Sequence, residues 1–325
     1  MNNASNSKLK VFVARKCSEA QDVCSLELVP QPGETLPSFT AGSHIDVHLP
    51  GNIIRQYSLC NSSKETDRYV IAVLRDPASR GGSISVHEAV DEGDEITIGY
   101  PKNNFRVIDG ASRHLLIAGG IGVTPILCMA EYLAQTGADF SLHYLARTES
   151  RAAFVERIRN SQFHNRASVH FDDGAPDQRF DIERTIGSED RATHIYVCGP
   201  NGLISAVFDA ARRMQWKEAQ LHREAFSGVS STTSCLDQSF EIVLARSGRT
   251  VVVPPDQTVT RVLAEVGVAV DVSCEQGVCG TCLTRVLDGT PDHRDVYLTE
   301  DERAKGDQFT PCCSRSKSPR LVIDL

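Results

Sequence analysis

Cys274-Glu275-Gln276-Gly277-Val278-Cys279-Gly280-Thr281-Cys282, with Cys312 downstream, is the stretch on which the reading of this chain turns. Together the four cysteines read C-x4-C-x2-C-x29-C, the spacing with which four thiolates hold a [2Fe–2S] cluster. Gly277 and Gly280 permit a tight loop whose backbone N–H groups can turn inward and hydrogen-bond the cluster's sulfurs. Zinc is the alternative occupant. Structural zinc usually takes paired ligands at short spacing twice over, whereas here one close trio is completed by a single distant cysteine. Cys313 adjoins Cys312 and could serve in its place. Neighbours in an extended segment point to opposite sides, so one of the two ligates, and the 29-residue gap favours Cys312.

The rest of the composition agrees with redox or metal chemistry in a globular chain. There are 325 residues, 41% of them hydrophobic, which suits two or three domains. No run approaches the ~20 apolar residues of a membrane span, and the start, Met1-Asn2-Asn3-Ala4-Ser5-Asn6-Ser7-Lys8, lacks a basic segment followed by an apolar one. A cytoplasmic chain without membrane attachment is therefore expected. A net charge of -8, from 42 acids and 34 bases, argues against a nucleic-acid partner. Eleven cysteines are unusual for a reducing compartment, where thiols do not persist as disulfides. Cys17, Cys24, Cys60, Cys128 and Cys235 read as small buried hydrophobes.

Outward from the cysteine loop, three regions differ in rhythm. The first hundred residues are short strands separated by Gly, Pro and Asn turns: Leu9 to Ala14, Ser25 to Val29, Ser43 to Leu49, Arg55 to Leu59, Arg68 to Val73 and Glu95 to Ile98. This pattern predicts a small antiparallel barrel. From about Ser112, strand, glycine turn and helix alternate: His114 to Ala118 before Ile126 to Gln135, Ser141 to Ala146 before Ala152 to Arg159, His194 to Val197 before Leu203 to Met214. That alternation indicates a parallel α/β sheet. A small polar run from Ser227 to Ser234 reads as a linker. Beyond it, Phe240 to Ala245 and Thr250 to Val253 pair as strands, and Val259 to Glu265 is a short helix leading to the cysteine loop. The expected division is 1–108 barrel, 109–226 α/β domain, 227–236 linker and 237–325 iron–sulfur domain.

Four further motifs carry chemistry. Gly119-Gly120-Ile121-Gly122 lies where a strand meets a helix, so its backbone can approach a pyrophosphate. Cys198-Gly199-Pro200 ends a later strand of the same sheet, and ligands of open α/β sheets bind outside the carboxyl ends of strands. In the barrel, Arg55-Gln56-Tyr57-Ser58 puts a cation and a ring on one face, with Ser58 turned away and contributing mainly through its backbone. Arg80-Gly81-Gly82-Ser83-Ile84-Ser85 offers amides and hydroxyls before a helical Val86 to Ala89, where a phosphate could dock. Each has a bland reading: a steric glycine turn, a solvated edge strand, a loop.

In this order, Arg-x-Tyr-Ser, Gly-Gly-x-Gly-x-Thr-Pro, Cys-Gly-Pro and a C-terminal plant-type ferredoxin module resemble the phthalate dioxygenase reductase family, within the ferredoxin–NADP reductase superfamily. The resemblance runs from about Lys8 to Leu325, and Pro101-Lys102-Asn103-Asn104-Phe105 matches its domain junction. It implies an FMN-binding β-barrel, an NAD-binding α/β domain and a β-grasp ferredoxin domain. By the same resemblance Arg55, Gln56, Tyr57, Ser58, Ala72, Val73 and Leu74 would contact FMN, and Arg80, Gly81, Gly82, Ser83 and Ser85 would surround its phosphate. Gly119, Gly120, Gly122, Thr124, Arg147, Cys198, Gly199 and Pro200 would meet NADH, with Thr124, Cys198 and Glu224 at the reacting centre and Phe226 closing over the flavin. Cys274, Cys279, Cys282 and Cys312 would hold the cluster.

The implied activity is an oxidoreductase that passes electrons from NADH through FMN and the [2Fe–2S] cluster to a Rieske-type terminal oxygenase, for an aromatic carboxylate dioxygenase or an O-demethylase. A reductase for a carnitine- or betaine-type monooxygenase is the alternative, and a non-enzymatic redox sensor a more distant one. Arg147 and Arg151 leave NADPH open, although Glu149 between them would repel a 2′-phosphate. Residues 237–325 hold 14 acids and 10 bases, so half the net charge lies there. An acidic exit face would steer toward a basic patch on the partner. A monomer is the simplest expectation.

Overall fold

The computed structural model describes residues 8–51, 53–77, 79, 81–175, 178–226 and 237–325. Arg80, Cys235 and the linker 227–236 lie outside them. The chain forms two compact units, Met1–Ala225 and Phe226–Leu325, the break falling one residue ahead of the expected end of the α/β region.

The first unit opens with six antiparallel strands, β1 (Lys8–Ala20), β2 (Val23–Pro30), β3 (His44–Leu49), β4 (Ile53–Ser58), β5 (Tyr69–Leu74) and β6 (Glu95–Gly99), with helix α1 (Gly82–Ala89) between the last two. Their order is β4-β3-β6-β1-β2-β5. A bridge from Leu59 to Ile71, with the Cys60 amide donating to the Val70 carbonyl at 2.9 Å, joins the two edges. Side-chain alternation explains the closure. Leu26 and Leu28 on β2, and Ile45 and Val47 on β3, are fully buried, each contributing roughly 1.5–3 kcal/mol of burial. β1 runs to Ala20, well past the expected Ala14. Its polar second half stays in register with β2 through two irregular positions, so backbone pairing there overrides the lack of apolar alternation.

The same unit continues with β7 (Arg113–Gly119), α2 (Val123–Thr136), β8 (Asp139–Ala146), α3 (Val155–Arg159), β9 (Ala167–Phe171), α4 (Ile182–Ile186), β10 (Thr193–Cys198), α5 (Asn201–Arg213) and β11 (Leu221–Glu224). The strands form a parallel sheet ordered β11-β10-β7-β8-β9. α2 is buried along nearly its whole first two turns and shares one continuous core with the barrel. α5 buries one stripe, Ile204, Val207, Phe208 and Ala211, the i, i+3, i+4, i+7 pattern of a helix covering one sheet face. α3 is shorter than expected because Phe154, at φ 64°, lies outside right-handed helical geometry.

The second unit holds β12 (Phe240–Leu244), β13 (Thr250–Val253), α6 (Val259–Glu265), β14 (Thr284–Asp288), β15 (Pro291–Asp292), α7 (Glu300–Lys305), β16 (Gln308–Phe309), β17 (Arg315–Ser316) and β18 (Arg320–Ile323). Its mixed sheet runs β13-β12-β18-β14-β16, with β12 and β18 parallel. α6 packs Val259, Val262 and Leu263 against it. No helix among the described residues is long and apolar enough to cross a membrane.

Candidate functional site

Two loops meet where the parallel sheet reverses its order. The chain passes from β7 outward to β8 and β9, then returns to place β10 on the other side of β7, so a crevice opens at the carboxyl ends of β7 and β10. Ala118 and Cys198 are register partners there, and the glycine loop leaves the sheet beside Gly199 and Pro200. The glycines are needed because two backbones press together. A Cβ on Gly122 would lie 2.3 Å from the Cys198 carbonyl oxygen, and one on Gly199 would lie 2.9 Å from the Gly119 Cα. Gly120, by contrast, faces open space. Thr124 is buried and its hydroxyl donates to the Ile121 carbonyl at 3.0 Å, locking the loop to the first turn of α2.

The barrel reaches this crevice through Ser58, the last residue of β4. Its hydroxyl donates to the Glu224 carboxylate at 3.2 Å, so the side chain, and not the backbone alone as expected from strand alternation, is engaged. Glu224 is the register partner of Cys198 across β10 and β11. Removal from water pushes the Glu224 carboxyl up to about 8, the Ser58 bond opposing the shift. Burial, aided by the Glu224 charge, raises the Cys198 thiol well above its ordinary range. Cys198 is therefore a protonated thiol and Glu224 is largely neutral at pH 7.

Elsewhere on the barrel, Arg55 lies over the start of α1, where a Cβ on Gly82 would be 2.6 Å from Arg55 Cγ. Gly81 turns the chain into that helix at φ 89°. The Ser85 hydroxyl is buried without a hydrogen-bond partner, while Ser83 Oγ accepts the Asp76 amide at 3.1 Å. A buried hydroxyl lacking a partner in the first turn of a helix whose start lies against Arg55 fits a phosphate. Gln56 donates to Asp46 at 3.0 Å. Burial raises the Tyr57 phenol far above its usual range. On β5, Ala72 and Val73 are buried and Leu74 is exposed.

In the second unit the cysteine loop wraps around its own sulfurs. The Cys274 thiol lies close to those of Cys279 and Cys312, and Cys312 packs with Cys282. All four are buried. The Gln276 amide donates to Cys274 Sγ and the Thr281 amide to Cys279 Sγ, both at 3.4 Å, so backbone N–H groups do turn inward. Gly277 and Gly280 are left-handed at φ 70° and 71°. A Cβ on Gly280 would sit 2.2 Å from the Tyr297 ring. Among the described residues no three His, Cys, Asp or Glu side chains converge as a single ion would need. A two-iron cluster asks for two thiolates on each iron, which the chain of contacts Cys279, Cys274, Cys312, Cys282 can supply, and this donor set fits it.

Two other expected residues take no part in the contacts described so far. Arg147 is exposed just beyond β8, and the nearby Glu149 is held by Arg159 at 2.9 Å. Phe226 belongs to the second unit, with its ring exposed. Cys312 and Cys313 stand in a turn, with the Cys313 and Ser314 amides both donating to the Thr310 carbonyl at 3.2 and 2.9 Å. The alternation argument for choosing between them therefore fails, and the choice of Cys312 rests on its contacts with Cys274 and Cys282. The sequence reading missed Thr281, whose hydroxyl is 3.2 Å from Cys279 Sγ. A hydroxyl two residues after a ligand cysteine was the available signal. It also missed Tyr297, for which there was none.

A barrel joined to a parallel α/β sheet, with a cysteine-rich C-terminal unit, defines an oxidoreductase of the electron-transfer class. Residues 242–317 match the family model of the 2Fe-2S iron-sulfur cluster binding domain, and residues 100–221 match that of the dimethylamine monooxygenase subunit DmmA-like N-terminal domain. The chain is 53% identical to vanillate O-demethylase oxidoreductase of Pseudomonas putida, covering 98% of this chain and 100% of that one. It is 39% identical to phthalate dioxygenase reductase of Burkholderia cepacia, over 98% and 97% respectively. A solved structure of phthalate dioxygenase reductase, described as modular for electron transfer from pyridine nucleotides to [2Fe-2S], superposes with a TM-score of 0.78 at 38% identity, covering 98% of each chain. The chain belongs to the phthalate dioxygenase reductase family.

Proposed function

We propose that this chain is the NADH-dependent reductase of a two-component oxygenase system, serving a Rieske-type O-demethylase or aromatic dioxygenase. The observation that carries the reading is the contact of Ser58 on the barrel with Glu224 beside Cys198 on the parallel sheet, which brings the two cofactor-type surfaces of the first unit to one point. When bound, FMN would accept hydride from NADH and release electrons singly to the [2Fe–2S] cluster, which hands them to the oxygenase.

The chain's own residues position these groups. Arg55, Gly81, Gly82, Ser83 and the Ser85 hydroxyl would hold the FMN phosphate. Gln56, Tyr57, Ser58 and the Ala72–Leu74 edge would line the flavin. Gly119, Gly120 and Gly122 would admit the dinucleotide backbone, with Thr124, Cys198, Gly199 and Pro200 around the nicotinamide. Cys198 stays a neutral thiol, so its role is to orient by shape. Glu224, neutral at pH 7 and bonded to Ser58, holds a proton at the reacting centre without placing a second negative charge there. Cys274, Cys279, Cys282 and Cys312 would bind the irons. The balance of 53% identity to the vanillate enzyme against 39% to a carnitine monooxygenase reductase subunit of Escherichia coli favours an aromatic O-demethylase partner.

A cytoplasmic monomer without nucleic-acid partners suits the net charge of -8. The test is anaerobic titration of the full chain with NADH, followed by extraction of the cofactor. Flavin bleaching, a reduced-cluster EPR signal and recovery of FMN are expected. Flavin that NADH fails to bleach overturns the reading. Transfer to the purified oxygenase should slow with added salt if the acidic 237–325 face steers docking, and a salt-independent rate removes the steering.

A further inference from the structure

We propose that Cys313 is a reserve ligand of the iron–sulfur cluster, able to take the iron position of Cys312. The proposal rests on the reading of the cysteine loop as a [2Fe–2S] site and goes beyond its four-cysteine ligand set.

The geometry comes from the turn at Thr310 to Ser314. In an extended strand adjacent thiols would face opposite sides. Here the amides of Cys313 and Ser314 both return to the Thr310 carbonyl, so the two side chains leave one turn and pack into the same buried cluster. Cys313, Cys312 and Cys282 form a buried cluster of their own, flanked by Val270 and Val272. Cys313 also reaches the ligand loop from the other side, since a Cβ on Gly277 would lie 2.4 Å from its sulfur. At 3.3 Å from its sulfur is the Thr310 hydroxyl, with the Thr310 carbonyl at 3.8 Å and the Ser314 hydroxyl at 3.9 Å.

The exchange balances without a redox partner. The iron–sulfur bond to Cys312 breaks, one to Cys313 forms, and the proton of the Cys313 thiol passes to the released Cys312 thiolate. Both irons keep their oxidation states. Thr310 and Ser314 offer oxygens that can hold the proton in transit.

The experiment uses the full-length chain, purified anaerobically as wild type, C312A, C313A, C312A/C313A and C282A. Iron and sulfide content, visible circular dichroism and EPR of the dithionite-reduced protein are read on each. Wild type and C313A should carry equal iron. C312A should retain at least half of it with shifted g values, while C312A/C313A and C282A lose it. Iron loss in C312A as complete as in the double variant overturns the proposal. If C312A fails to fold, C312S and C312S/C313A preserve the side-chain volume more closely. Different EPR spectra in that pair support a Cys313–iron bond, and identical spectra overturn it. A wild-type chain without a [2Fe–2S] spectrum would instead sink the reading of the whole loop.

Discussion

The cysteine loop of the second unit and the glycine loops of the first make opposite uses of sequence. At Cys274 to Cys282 the chemistry is carried by side chains, and the glycines serve to let the backbone wrap around four sulfurs. At Gly119 to Gly122 and Gly199 it is the absence of side chains that matters, because the backbone of one loop lies against that of the other. Thiolate spacing is a specific signal, whereas a gap where a methyl group cannot fit is a tertiary fact that a string of glycines only hints at.

Removing Cys274 tests the first half of this comparison and should have the largest effect. A C274A chain should lose the cluster and at least ~100-fold of its electron delivery to an external acceptor, while NADH still bleaches the flavin; stopped-flow spectroscopy on the same sample reads both. Retained delivery would show that the loop is not the exit port. The second half is tested by G122A against G120A. The Gly122 methyl would collide with the Cys198 carbonyl, so a loss of about 1–3 kcal/mol is expected. Gly120 has open space but a φ of 53°, and its substitution should cost about 1–2 kcal/mol from the left-handed backbone alone. Denaturant unfolding reads both variants, and a G122A loss below about 1 kcal/mol would deny that the two loops press together.

A smaller effect concerns Glu224. Its folded pKa is raised from 4.5 to about 8, so the folded state binds the proton more tightly than the unfolded one. The stability this contributes is complete below about pH 4.5 and is lost as pH rises through about 8. E224Q should flatten that decline, so the wild-type fall in melting temperature between pH 5 and 8 exceeds the variant's by roughly 3 °C or more. Parallel pH profiles would rule out the raised carboxyl. Smallest is S58A. It removes one hydrogen bond worth about 1 kcal/mol and should move the Glu224 titration further upward, visible as a shifted pH profile for flavin reduction by NADH.

Much of the architecture was legible from local pattern. Alternation in β2 and β3, the apolar run before Gly119 and the amphipathic stripe of α5 each state their element because burial demands that period. What escaped were short polar elements. Leu221–Glu224 contains three polar residues, yet it becomes a strand because β10 offers it a free edge, and that pairing sets Glu224 beside Cys198. β14 to β18 and α7 are two to six residues long, too brief for any periodicity to appear. At the site, the types Ser58, Glu224 and Cys198 were readable, but the Ser58–Glu224 bond joins residues far apart in sequence and reverses the expectation that Ser58 acts through its backbone. The choice between Cys312 and Cys313 also depended on a turn that strand logic misread.

By itself, then, the sequence determined the cluster-type spacing, the order of barrel, α/β region and cysteine unit, and the kind of chemistry they serve, because thiolate ligation and burial periodicity are local rules. Only the tertiary structure decided which backbones touch, that Glu224 is held away from water against Ser58, and that Cys313 packs beside Cys312 and Cys282. Those outcomes depend on distances across strands and turns, and a one-dimensional chain does not contain them until it folds.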